Sequence, residues 1–192
     1  MLIETANSEI EEKIQLLNTL KDSEYLTILS DTVDEITKAL KGGHRIFLAG
    51  NGGSAADAQH FAGEIVGRFM MERRALPAMS LCTDPSVMTC IGNDYGYDEV
   101  FARQLEGLGQ AGDVFIGIST SGNSENIIRA IKKADELSIA TVAFLGKGGG
   151  KIKDLVKYPL IVPSKSTPRI QEIHTFTVHL ICEAVEKNIF AS

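Results

Sequence analysis

The run Asp113-Val114-Phe115-Ile116-Gly117-Ile118 constrains the fold more than any other stretch of this chain. After the aspartate it is nearly all apolar and shows no polar alternation. It therefore suits a strand covered on both faces, as parallel strands are. Directly after it come Ser119-Thr120-Ser121-Gly122-Asn123-Ser124 and a helical pattern over residues 124–137. The same order of strand, turn and helix recurs. Arg45–Ala49 reads as a strand before a helix over 54–68. Ala78–Leu81 reads as a strand before a helix opened by Asp84-Pro85, with proline in the first turn. Asn93-Asp94-Tyr95-Gly96 breaks that helix, and 97–108 resumes it. Ala140–Leu145 is a strand before a short helix over 148–156. Pro159–Val162 is the last strand and 167–189 a long terminal helix. Alternation of this kind predicts an α/β three-layer sandwich: a parallel sheet of about five strands with helices on both faces. Ligands then belong at the carboxyl ends of the strands.

Residues 5–41 precede this alternation and read as two further amphipathic helices, broken near Lys21-Asp22-Ser23, with Asp22 or Ser23 as cap. The first carries Ile10, Ile14, Leu17 and Leu20, and the second Leu26, Leu29, Val33, Ile36 and Leu40. Such a pair either covers the domain or builds an oligomer bundle. With 192 residues, the expectation is one domain: a helical pair over 1–41, then an α/β core with its terminal helix over 42–192.

A net charge of −6 without a Lys/Arg run argues against a grip on nucleic acid, which needs a basic face. No apolar run approaches a membrane span of about 20 residues, and the N-terminus has no signal-peptide pattern. Cys82, Cys90 and Cys182 are isolated, which fits a reducing cytoplasm and small buried apolar roles.

Two turns carry the chemistry. Gly50, Gly52 and Gly53 leave backbone amides bare ahead of a helix, with Ser54 placed as its cap, and a helix start of this kind attracts anions. Ala55 stands where a third glycine would complete a dinucleotide fingerprint, so that signal is weak. The second turn, 119–124, offers four hydroxyls at a helix start, more than one cap needs. It reads as a phosphate cradle without lysine. No GxxxxGK[ST] is present, and Gly146-Lys147-Gly148-Gly149-Gly150-Lys151 reads as a flexible turn. On the helix after Ser54, Asp57, His60, Glu64 and Arg68 form a stripe beside the apolar Ala58, Phe61, Ala62, Ile65 and Phe69. The stripe is either a solvated face or the lining of the cleft. In the second case His60 and Glu64, spaced i,i+4, can chelate a zinc-like cation. Gln171 and His179 lie on the last helix, about 12 Å apart at 1.5 Å per residue. To share one ion they must lean together or belong to different subunits.

The stretch Asn51–Glu64, together with Gly92–Gly96, Gly117–Ser124 and Arg169–His174, resembles the signature of the bacterial phosphoheptose isomerases, a sugar-isomerase (SIS) family. The likeness spans nearly the whole chain. It implies the SIS fold, a cytoplasmic homotetramer with sites at subunit interfaces, and one Zn2+ per subunit. It also implies conversion of sedoheptulose 7-phosphate to glycero-manno-heptose 7-phosphate for lipopolysaccharide or other surface polysaccharide. The implied zinc ligands are His60, Glu64, Gln171 and His179. The implied substrate set is Asn51, Gly52, Gly53, Glu64, Asn93, Asp94, Ser119, Thr120, Ser121, Ser124 and Gln171, with Ser54 in the same loop. Some members carry an acid shortly before the glutamine, where this chain reads Thr167-Pro168-Arg169. Moving a proton between neighbouring carbons requires two proton-holding groups: Glu64 is the candidate for C–H abstraction and His179 for the oxygens or ring opening, roles that could be exchanged. The rival readings are a non-catalytic initiator-binding relative, a sugar-phosphate sensor domain and an isomerase of another sugar phosphate. The first two do not need both Glu64 and His179.

Overall fold

Successive strand side chains alternate between two apolar layers, and this alternation organises the structure. The structure is a computed structural model that describes residues 1–21 and 23–191. Its parallel five-stranded sheet has the order β2-β1-β3-β4-β5. The strands are β1 (Ile46–Gly50), β2 (Ala78–Ser80), β3 (Val114–Ser119), β4 (Ala140–Leu145) and β5 (Tyr158–Ile161). The helices are α1 (Leu2–Lys21), α2 (Tyr25–Lys41), α3 (Gly53–Val66), α4 (Pro85–Tyr95), α5 (Ala102–Leu108), α6 (Glu125–Glu136) and α7 (Thr167–Phe190). Ile46, Leu48, Ile116, Ile118 and Phe144 pack under α1, α2, α3 and α7. Phe47, Ala49, Phe115, Ala143 and Leu145 pack under α4, α5 and α6. This is the expected three-layer sandwich, and every residue of β1 and β3 is buried.

Several local expectations are corrected. The cap of α3 is Gly52, at φ 57°, whereas Ser54 lies inside the helix and is buried. The turn must pass through a left-handed conformation that glycine adopts freely, so the cap falls earlier than the serine. At the start of α2, Glu24 holds the cap position, and Ser23 Oγ accepts from Tyr25 N at 3.3 Å. Asp22 lies outside the described residues. Helix α4 runs through Asn93, Asp94 and Tyr95 and breaks at Gly96, at φ 90°, the last residue of the stretch expected to end it. Asp84 caps it as expected, with Oδ1 accepting from Val87 N at 3.0 Å. The helix expected over 148–156 is only a 3-10 turn at Ile152–Asp154. In α1 the buried side is Leu16 and Leu20, which leaves Ile10 and Ile14 exposed.

Candidate active site

The chain runs from β1 outward to β2, and later from β3 outward to β4 and β5. β1 and β3 are neighbours, so the turns that follow them diverge at the switch point of the sheet, where α/β folds open a crevice. Both of the glycine-bearing turns singled out in the sequence lie there.

The turn after β3 is held from behind. Ser119 is buried, and its Oγ lies 2.8 Å from Ser124 Oγ at the start of α6. Thr120 and Ser121 are half-buried. Gly122 has φ 66°, and a side chain there would collide with the Gly149 carbonyl. Gly122 O accepts from Ile152 N at 3.0 Å, and Asn123 Oδ1 accepts from Lys151 N at 3.2 Å. The glycine run 146–150 is therefore not a loose turn. Gly146 and Gly149 are buried, and the run buttresses the hydroxyl loop. The close backbone approach needs glycine on both sides.

The turn after β1 places Asn51 in a reciprocal amide pair with Asn126 of α6. Asn51 Nδ2 donates to Asn126 Oδ1 at 3.0 Å, and Asn126 Nδ2 donates to Asn51 Oδ1 at 2.9 Å. The Tyr97 hydroxyl also donates to Asn51 Oδ1, at 3.1 Å. Asn93 and Asp94, shortly before Tyr97, are exposed at the end of α4 and bonded to each other at 2.7 Å. Gly52 and Gly53 are exposed, and the Gln171 amide lies where a side chain on Gly53 would be. Ser54 is turned inward beneath Gly50.

Helices α3 and α7 lie side by side and run the same way. Gly53 meets Gln171, Asp57 Oδ1 accepts from Thr175 Oγ1 at 3.2 Å, and His60 meets His179. Burial raises the Asp57 carboxyl above its ordinary range, against the Thr175 hydrogen bond and the nearby His60. One helical repeat further on, His60 Nε2 lies 3.0 Å from Glu64 Oε1 and 3.4 Å from His179 Nε2. The ligand atoms of His60, Glu64 and His179 all lie within 4.8 Å of one another, a spacing able to hold a metal ion. The His60 and His179 rings meet edge to face at 79°. Gln171 does not join them: the parallel register leaves it about 12 Å back along α7, at the start of the seam.

The sequence reading missed Asn126 and Tyr97. Asn126 is a buried amide beside apolar Ile127 and Ile128, in the first turn after the hydroxyl loop. An uncapped asparagine among core residues at such a place was the available signal.

The SIS domain family model matches residues 10–146. A phosphoheptose isomerase of Clostridium acetobutylicum is 51% identical over 95% of this chain and 92% of its own. The solved phosphoheptose isomerase of Neisseria gonorrhoeae is 40% identical, with a TM-score of 0.91 over 97% of this chain and all of its own. That of Francisella tularensis is 32% identical, with a TM-score of 0.93 over 97% of this chain and 99% of its own.

Proposed function

The chain belongs to the phosphoheptose isomerase family of SIS-domain proteins, and from that premise we propose that it converts sedoheptulose 7-phosphate to D-glycero-D-manno-heptose 7-phosphate. It is a sugar-phosphate isomerase. The observation that carries the reading is the pairing of a hydroxyl-rich anion loop at the switch point with a His60–Glu64–His179 group further along the α3–α7 seam that starts there. The whole chain, 1–192, is then one catalytic domain, with the helical pair 1–41 serving its assembly.

The reaction moves a proton from C1 to C2 while the carbonyl moves from C2 to C1. Ser119, Thr120, Ser121 and Ser124 hold the phosphate, helped by the α6 dipole. Asn51, Gly52, Gly53, Asn93, Asp94 and Gln171 hold the sugar hydroxyls, with Ser54 supporting the turn from within. Glu64 takes the proton from C1 and returns one at C2. His179 passes protons among the oxygens and serves ring opening. These two groups supply the acid and base that an enediol route requires.

The donors fit a zinc ion: two imidazole nitrogens and a carboxylate oxygen at ligand spacing are the set zinc takes. His60, Glu64 and His179 would hold it, and the fourth ligand, Gln171, would come from a second copy. When bound, the ion polarises substrate oxygens as a Lewis acid. A homotetramer with sites at subunit interfaces supplies that second copy. The support is an apolar groove between α1, α2 and α7, lined by Ile14, Leu17, Leu26, Phe176 and Leu180. Among the described residues, no helix is long and apolar enough to cross a membrane. We place the enzyme in the cytoplasm, with its product feeding nucleotide-activated heptose for lipopolysaccharide or other surface polysaccharide.

The test follows the carbon-bound protons of sedoheptulose 7-phosphate by NMR, with chelator and with added zinc. The reading expects a new aldose anomeric signal, weakened by chelator and restored by zinc. An unchanged ketose, set against conversion of a hexose or pentose phosphate, would replace the assigned substrate.

A further inference from the structure

The segment leaving α3 converges on one carboxylate. Glu186 Oε1 accepts from Phe69 N at 2.7 Å, and Oε2 accepts from Met70 N at 2.8 Å and Met71 N at 3.0 Å. Arg73 Nε donates to Glu186 Oε1 at 2.7 Å, and the two side chains are only 1% and 2% exposed. The rest of the guanidinium caps the end of α3. Nη2 donates to Glu64 O at 2.9 Å, and Nη1 donates to Ile65 O at 3.0 Å. These carbonyls stand at the helix end, where no further turn can satisfy them.

The network reaches the site at two points. Arg73 holds the backbone of Glu64 itself. Glu186 lies seven residues after His179 on α7, two turns on and hence on the same face. The backbone that Glu186 holds carries Phe69, whose ring stacks on the His179 imidazole at 5.5 Å between centroids and 26° between planes. This stack covers one face of the imidazole while its Nε2 faces His60.

We infer that Glu186 and Arg73 are positioning residues for the active site: their buried pair locks the end of α3 to α7, seats Phe69 on the His179 ring, and so fixes His179 and Glu64 relative to each other. The inference rests on the isomerase reading for its kinetic consequence, though not for its geometry. Stability alone is a poor reason for the pair. A buried ion pair repays its desolvation only when every lone pair and proton is matched, and an apolar replacement is often as stable. What a fully matched pair supplies here is a single geometry between two helices that each bring proton-handling groups.

The test uses the full chain with Phe69→Leu, Phe69→Tyr and Glu186→Gln. It reads kcat and KM on sedoheptulose 7-phosphate, the melting temperature, and the His179 imidazole carbon–proton resonance. Phe69→Leu keeps apolar bulk and leaves the Glu186–Arg73 pair in place, so it reports even where Glu186→Gln fails to fold. The expected result for Phe69→Leu is a kcat reduced about tenfold to a hundredfold at nearly constant KM. The His179 resonance shifts, the melting temperature holds, and Phe69→Tyr restores both kcat and the resonance. Unchanged kcat with an unshifted resonance overturns the inference. So does a fall in melting temperature with kcat per folded molecule retained. If the wild type itself turns over no substrate, the isomerase reading fails, and the resonance alone decides the positioning role.

Discussion

His60 and His179 face each other Nε2 to Nε2 at 3.4 Å, although they come from opposite ends of the α/β core. The contact exists because α3 and α7 run side by side in the same direction. Each helix then brings its polar residues to the seam at matching heights, and Glu64 completes the group one turn beyond His60. Removing either proposed proton carrier should silence the chemistry without emptying the proposed phosphate loop. Glu64→Gln and His179→Gln are each expected to lower kcat by about a hundredfold to ten-thousandfold. Calorimetry with inorganic phosphate should show binding in both variants close to that of the wild type. Near-wild-type turnover in either would remove that residue from the acid–base pair.

The proposed phosphate loop has its own test at Gly122. The residue sits at φ 66° against the Gly149 carbonyl, so Gly122→Ala meets both strain and collision. The expected cost is about 1–3 kcal/mol of stability, together with weaker phosphate binding as the loop moves off its buttress. Urea unfolding and phosphate calorimetry measure the two effects. An alanine variant equal to wild type in both would contradict the packed arrangement of the two glycine turns.

Much of this was legible in the sequence. The all-apolar β3 run and the recurring order of strand, turn and helix were sufficient for the layered sheet, because burial on both faces leaves a pattern that needs no tertiary information. The hydroxyl loop was legible because its four side chains exceed what a cap requires. The His60–Glu64 pair was visible as i,i+4 spacing, but its meeting with His179 came only from the family resemblance. That meeting depends on the parallel register of α3 and α7, which no local pattern encodes. The same holds for Asn126 and Tyr97 on Asn51, and for Glu186 under Phe69, which join distant segments. The glycine run 146–150 misled for the opposite reason. Composition suggested looseness, whereas close packing on Gly122 is what demands glycine there.

The α1 stripe tells a similar story about assembly. Ile10 and Ile14 of α1, Leu26 of α2 and Phe176 of α7 are between 43% and 54% exposed, more apolar surface than solvent favours on one side of the molecule. Phe176→Glu places a charge in that groove without touching the buried core. Sedimentation should show loss of the proposed tetramer, with the helical content of the single chain retained. A variant that sediments as the wild type does would take this groove out of the subunit contact.

Stability should fall on the acid side through two groups. Burial lowers the His174 pKa from 6.5 to about 4, despite its contact with Leu145 O. The unfolded chain therefore binds a proton that the folded chain refuses as pH falls below 6.5. The loss grows to about 3 kcal/mol by pH 4. Burial would raise the Glu186 carboxyl, but three backbone amides and Arg73 outweigh it and hold the group below its usual 4.5. Its contribution is present above 4.5 and is lost as pH falls further. Urea midpoints measured from neutral pH downward should show this decline, and His174→Leu should flatten its upper part. A flat profile in the wild type would contradict a neutral buried His174.

The most direct measurement is isomerisation of sedoheptulose 7-phosphate in deuterium oxide, followed by NMR and mass. Proton transfer through an enediol with solvent exchange predicts heptose 7-phosphate carrying deuterium at C2 in at least part of the product. It also predicts that both the product and the label vanish with Glu64→Gln. No aldose from the wild type, or the same labelled aldose from Glu64→Gln, would contradict an isomerase built on the His60–Glu64–His179 group.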